Sequence, residues 1–159
     1  MRDLKFRGVD DKGVMHFGNL LQSKKFKDGR VDCWIQPKTL LTLGAISTPT
    51  DSFKRVIEST VGQFTGLTDK NGVDIYEGDI VSARVKERCI SECGEFNVQT
   101  GEHIYTKLTV EFVNHMTHCG WKFYGIDRRF NAKATRSFIV NNKIEIIGNI
   151  HQDKELLND

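Results

Sequence analysis

The chain has 159 residues, with 23 Lys+Arg against 21 Asp+Glu for a formal charge of +2, and it is 38% hydrophobic and 28% charged. That length suits one domain, or one domain with a small annex, and it buries a core without staples. The near balance of charge excludes a strongly basic DNA-coating protein and an acidic tail protein, and the apolar content excludes long-range disorder.

The longest nearly apolar run, Leu40 to Ile46, is far short of the ~20 residues a spanning helix needs. Met1 to Arg7 alternates charged and apolar residues and holds no continuous apolar stretch of the signal-peptide kind, so the expected location is cytoplasmic, with no membrane partner. The four cysteines, Cys33, Cys89, Cys93 and Cys119, are too few and too scattered for a disulfide scaffold.

Along the chain the hydrophobic period is two. Leu4, Phe6 and Gly8 are expected on one face of a first strand, with Asp3, Lys5 and Arg7 on the other. Asp10-Asp11-Lys12-Gly13 reads as a turn, and Val14 to Gly18 as the return strand. Lys24, Lys25, Lys27 and Arg30 surround a second turn at Asp28-Gly29, and Val31 to Ile35 is a short strand closed by Pro37. Residues 38–52 read as a short helix or irregular coil. Phe53 to Ile57 reads as a strand in preference to a helix capped by Asp51 or Ser52.

From residue 61 the signals sharpen. Asn71-Gly72 is the preferred two-residue turn, Glu77-Gly78 a second one, and Val81, Ala83 and Val85 share a strand face opposite Ile80, Ser82 and Arg84. Residues 86–103 read as a loop or flexible hairpin. Leu108, Val110 and Phe112 form a strand, and Trp121, Phe123 and Tyr124 the next. Asp127 to Arg136 reads as a basic connection, Ile144, Ile146 and Ile150 as the last strand, and Glu155 to Leu157 as a terminal turn. About nine short strands separated by turns predict an all-β or β-rich chain.

The most distinctive segment runs from Val61 to Val81 and contains Gly66, Asp69, Asn71, Gly72, Gly78 and Asp79. Together with Arg2 to Arg7, with Ile144 to Ile150 (Gly148 and Asn149 included) and with Glu155-Leu156-Leu157, it resembles the YopX family of phage and prophage proteins of uncharacterised function. The resemblance brackets the whole chain. It implies a β-rich, phage- or prophage-encoded protein, it brings no catalytic residues, and its shared positions are the glycines, turn residues and apolar strand positions a fold needs.

Three clusters invite chemistry. Asp69, Asp74, Glu77 and Asp79 suggest Ca²⁺ or Mg²⁺, but Gly72 falls fourth from Asp69 where an EF-hand loop needs it sixth, so turn-shaping is the better reading. Cys89, Cys93, His115, His118 and Cys119 supply zinc ligand types. On a strand, however, Cys89 and Cys93 would lie roughly 13 Å apart, and His115 and His118 would point to opposite faces. Trp121, Lys122 and Tyr124 with Arg128, Arg129, Lys133 and Arg136 mix aromatic and basic side chains in a way that suits nucleic acid. The plainer reading puts Trp121 and Phe123 in the core. No GxSxG, P-loop, HExxH or GxGxxG motif is present, His16, His103 and His151 are isolated, and no residue is assigned a catalytic role.

The expected architecture is an N-terminal β-meander over residues 1–60 packed on a small SH3-like β-barrel over 61–159, with short helices at most. The expected function is a non-catalytic binding or assembly module without a cofactor. Its expected partner is itself, as a homo-oligomer covering strand edges, or another phage or host protein. Nucleic-acid binding through Trp121–Arg136 is the alternative, and a zinc-stabilised or metal-dependent protein a further one.

Overall fold

Alternating apolar and polar residues between short turns do build antiparallel sheets. The computed structural model describes residues 4–37, 53–90, 96–115, 118–126 and 130–158. The chain divides into two compact units, residues 1–66 and 67–159.

The first unit holds β1 (Phe6–Val9), β2 (Met15–Gln22), β3 (Cys33–Gln36), β4 (Lys54–Val56) and a 3₁₀ turn at Glu58–Thr60. Strand β5 (Gly62–Thr68) runs out of it, β6 (Asp74–Tyr76) follows, and the sheet order is β4-β3-β2-β1-β5-β6. Cys33, Ile35 and Val56 form the small core, with Phe6, Leu20, Val31 and Val61 packed against it. Thr60 ties the 3₁₀ turn to β1 by accepting a hydrogen bond from the Val9 amide at 2.9 Å.

The expected facing of the first strand is corrected. Arg7 is buried and Leu4 is 60% exposed. The strand begins only at Phe6, and Arg7 has Phe17 on one side and Gly62 on the other, so even its polar face is flanked. The β4 strand is present. The readings placed on residues 38–52 lie outside the described residues.

The turn after β1 is built by Asp10. One carboxylate oxygen accepts the Lys12 and Val14 amides at 2.9 and 2.8 Å, and the other meets His16 Nε2 at 2.8 Å. The His16 hydrogen bond, followed by the backbone bonds, lowers the Asp10 pKa below its ordinary 3.8. A carboxyl with a depressed folded pKa stabilises above its unfolded value and loses that contribution as pH falls through the folded one. The Lys12 and Val14 amide resonances should therefore titrate in NMR spectra with a midpoint below 3.8. A midpoint at or above that value would remove the His16–Asp10 bond from the account.

The second unit holds β7 (Asp79–Ile90), β8 (Phe96–His115), β9 (His118–Gly125), β10 (Asn131–Lys133), α1 (Arg136–Asn141), β11 (Glu145–Asn149) and a closing 3₁₀ turn at Lys154–Leu157. The sheet order is β10-β9-β8-β7-β11, all antiparallel. Val81, Ala83, Val85, Leu108, Val110 and Phe123 form its inner face, closed by Ile75, Ile139 and Ile144. Helix α1 begins where Thr135 accepts the Phe138 amide, and Phe138 stacks on Phe123 with ring centroids 5.5 Å apart.

Of the loop or hairpin expected over residues 86–103, the hairpin is present: residues 86–90 and 96–103 continue β7 and β8, paired antiparallel on both sides of residues 91–95. Three differences from the sequence reading stand out here. The connection expected over 127–136 contains β10, and its last residue opens α1. Ile80, expected on the face opposite Val81, Ala83 and Val85, is fully buried as well. It pairs with Gly148, over which the closing turn packs so tightly that a Cβ there would come within 2.8 Å of Leu156 Cδ1. Finally, no pairing among the described residues closes an SH3-like barrel, because the sheets end at β4 and β6 and at β10 and β11.

Candidate functional site

Side chains alternate across a strand, and directly paired residues of neighbouring strands share a face. The register of the second sheet therefore sorts its outer face without ambiguity. Ser82 pairs with Lys107 and Arg84 with Tyr105. Thr109 pairs with Tyr124 and Glu111 with Lys122. Tyr124 pairs with Asn131 and Lys122 with Lys133. Glu145 pairs with Ser82. Arg84, Lys107, Lys122 and Lys133 thus lie with Tyr105 and Tyr124 on the face opposite the core. Tyr105 is 74% exposed.

Two carboxylates share this face. Glu145 Oε2 meets Lys70 Nζ at 2.6 Å, and Glu145 Oε1 accepts from the Asn71 side chain at 3.3 Å. The Lys70 hydrogen bond lowers the Glu145 pKa, and the same bond raises that of Lys70. Glu145 is therefore already occupied by a cation that the turn brings to it. Glu111 accepts from Thr109 Oγ1 at 3.2 Å and stands opposite Lys122. Lys133 stands on the other side of Lys122, directly opposite it, and like charges so placed repel.

The nucleic-acid candidate segment is split by this geometry. Lys122, Tyr124 and Lys133 are on the outer face. Trp121 is on the inner one, packed against the core and edge-on to Phe112 with centroids 4.9 Å apart. Arg136 is exposed at the start of α1, off the sheet. Arg128 and Arg129 lie outside the described residues. Arg84, Tyr105 and Lys107 were not predicted as site residues. Their spacing in the sequence is visible, but their company depends on strand register.

The metal candidates are spread over three strands, Cys89 on β7, His115 on β8, and His118 and Cys119 on β9. His115 pairs with His118 across a hairpin, the turn that their spacing requires if they are to meet, and Cys119 pairs with Asn114, on the face opposite His115. Cys89 follows Arg88, which pairs with Gln99 at the far end of β8 from His115, on the order of 50 Å of strand away. Cys93 lies outside the described residues. Among the described residues no group of three or more His, Cys, Asp or Glu side chains is arranged to hold a metal ion.

The residues of the long central motif tie segments together. Asp69 Oδ1 accepts the Asn71 and Val73 amides at 2.7 and 3.0 Å, and its Oδ2 accepts the Ile146 amide at 3.2 Å. Gly72 completes that turn at φ +83°. Asp79 Oδ2 accepts the Tyr76 amide at 2.7 Å. Gly78 donates to Val110 O and accepts from the Ile150 amide. Asn149 Oδ1 accepts the His151 and Gln152 amides, and Asp153 Oδ2 accepts the Asn149 amide. Gly66 lies within β5.

Fold and face together define a mainly β protein of two antiparallel sheets, the second with a basic and aromatic outer surface. The chain belongs to the YopX family, whose model, described as YopX protein, matches residues 5–158. A crystal structure of protein EF1440 from Enterococcus faecalis has the same fold, with a TM-score of 0.55 and 21% sequence identity over 98% of each chain. No curated protein sequence matches the chain. Among the described residues no helix is long and apolar enough to cross a membrane.

Proposed function

We propose that this YopX protein is a phage- or prophage-encoded, non-catalytic binding module whose contact surface is the outer face of the second sheet, and that its ligand is a polyanion. The observation that carries this is the register pair Lys122–Lys133, two lysines set directly opposite one another. Glu111 stands opposite Lys122 on its other side and offsets one of these charges, and an anion held between the two lysines relieves the rest of their repulsion. Arg84 and Lys107 extend the same surface. The chain's overall charge of only +2 makes this a local excess rather than a general stickiness.

Retention on a heparin column checks the reading. Lys122→Glu with Lys133→Glu should elute at clearly lower salt than the unchanged protein. Lys24→Glu with Lys25→Glu, the same charge change on the first unit, should elute much closer to it. Equal losses from the two double variants would show a net-charge effect and end the proposal. Trp121→Ala should lower the melting temperature through the lost contacts with Phe112 and the core while leaving the elution salt unchanged.

A further inference from the structure

We infer that the polyanion is single-stranded nucleic acid, with bases stacking on Tyr105 and Tyr124 while the surrounding cations hold phosphates; this rests on the binding face proposed above. Cations alone would suit any polyanion. The tyrosines narrow the choice, because an aromatic ring standing out of a sheet at 74% exposure offers a flat apolar surface to a planar partner. Paired bases are already stacked within a duplex and present only their edges in the grooves, whereas the bases of a single strand are free to turn onto a ring.

The spacing fits a strand lying across the sheet. Tyr124 pairs with Thr109, four positions along β8 from Tyr105, which puts the two residues about 14 Å apart from the strand rise and the interstrand distance. Arg84 is directly opposite Tyr105, Lys107 is the next residue on that face, and Lys122 and Lys133 flank Tyr124 on β9 and β10. Each ring therefore has two cations beside it, the alternation of stacking surface and phosphate contact that a flexible strand needs.

Fluorescence anisotropy with labelled oligo-dT and oligo-U of about a dozen nucleotides, against a duplex of the same length, tests this. Both single strands should bind tighter than the duplex, and any preference between them separates a DNA from an RNA ligand. With four phosphate contacts, log K should fall against log salt with a slope of about −3, dropping to about −1.4 in Lys122→Glu with Lys133→Glu. Tyr105→Ala, at a site too exposed to unfold the sheet, should weaken single-strand binding about fivefold or more without changing heparin retention, and Tyr105→Phe should restore it. Binding indifferent to Tyr105→Ala, duplex bound as tightly as single strands, or no oligonucleotide bound at all would overturn this inference. If heparin retention still depended on Lys122 and Lys133, each of those results would leave the binding face standing with a different polyanion, such as an acidic protein. Loss of that heparin dependence would instead remove the face itself.

Discussion

Replacing Asp69 with alanine should lower the melting temperature by roughly 10 °C, because one buried carboxylate accepts three backbone amides and each charge-assisted bond of this kind is worth about 1.5–3 kcal/mol. Alanine leaves the amides of Asn71, Val73 and Ile146 without their acceptor in a site where Asp69 is only 6% exposed. Two of the three bonds shape a local turn; the third reaches across 77 residues to the last strand. Asp69→Asn separates these roles. It keeps an oxygen for the turn and faces an NH₂ toward the Ile146 amide, donor against donor. About half of the destabilisation should remain. Hydrogen exchange at Ile146 should quicken in both variants, and at Val73 in the alanine variant alone. Unchanged exchange at Ile146 in Asp69→Asn would show that the long-range bond contributes nothing. Asp11→Ala, on the exposed side of the first turn, should stay within about 0.5 kcal/mol of the parent.

Asp69 also marks the boundary between what could and could not be read in advance. Its turn is visible in the sequence because Asp, Asn and Gly lie within four residues and their backbone preferences act locally. Its bond to Ile146 is invisible, since nothing in either segment names the other. The same division runs through the second sheet. Val81, Ala83 and Val85 announce a buried face by alternation alone, but the burial of Ile80 depends on a turn some 70 residues later. Helix α1 is short and follows a basic stretch, so its only signal is the Thr135 cap.

The candidate surface was half legible for related reasons. Lys122, Tyr124 and Lys133 stand close together in sequence, and strand parity already separates Lys122 and Tyr124 from Trp121 and Phe123. Arg84, Tyr105 and Lys107 join them only through register, which turns and distant pairings set. A one-residue slip of β8 would send Tyr105 and Lys107 into the core and Leu108 into solvent. The buried Leu108 and Val110 therefore fix which cations meet on the outside, and the chemistry of the outer face is a consequence of packing on the inner one.

Gly18 carries the other large expected effect, and it acts in the first unit through backbone rather than side chains. It pairs with Phe6 of β1 on one side, while on the other β2 meets β3 at Asn19 and Gln36. A Cβ at Gly18 would overlap the Gln36 carbonyl oxygen and lie 2.5 Å from its carbon. A flexible side-chain tip could swing aside; a strand end tied to Asn19 cannot do so without dragging Ile35, which is fully buried beside Cys33 and Val56. Gly18→Ala should therefore cost about 3 kcal/mol, roughly 10 °C of melting temperature, at the upper end for overpacking. Gly13→Ala supplies the contrast. Gly13 has open space around its missing Cβ but sits at φ +82°, so alanine there pays only for the backbone, about 1 kcal/mol. Equal losses from the two variants would mean that β3 does not pass against Gly18. A loss several times larger at Gly18 would identify the close approach of the two backbones as what holds the second and third strands in register.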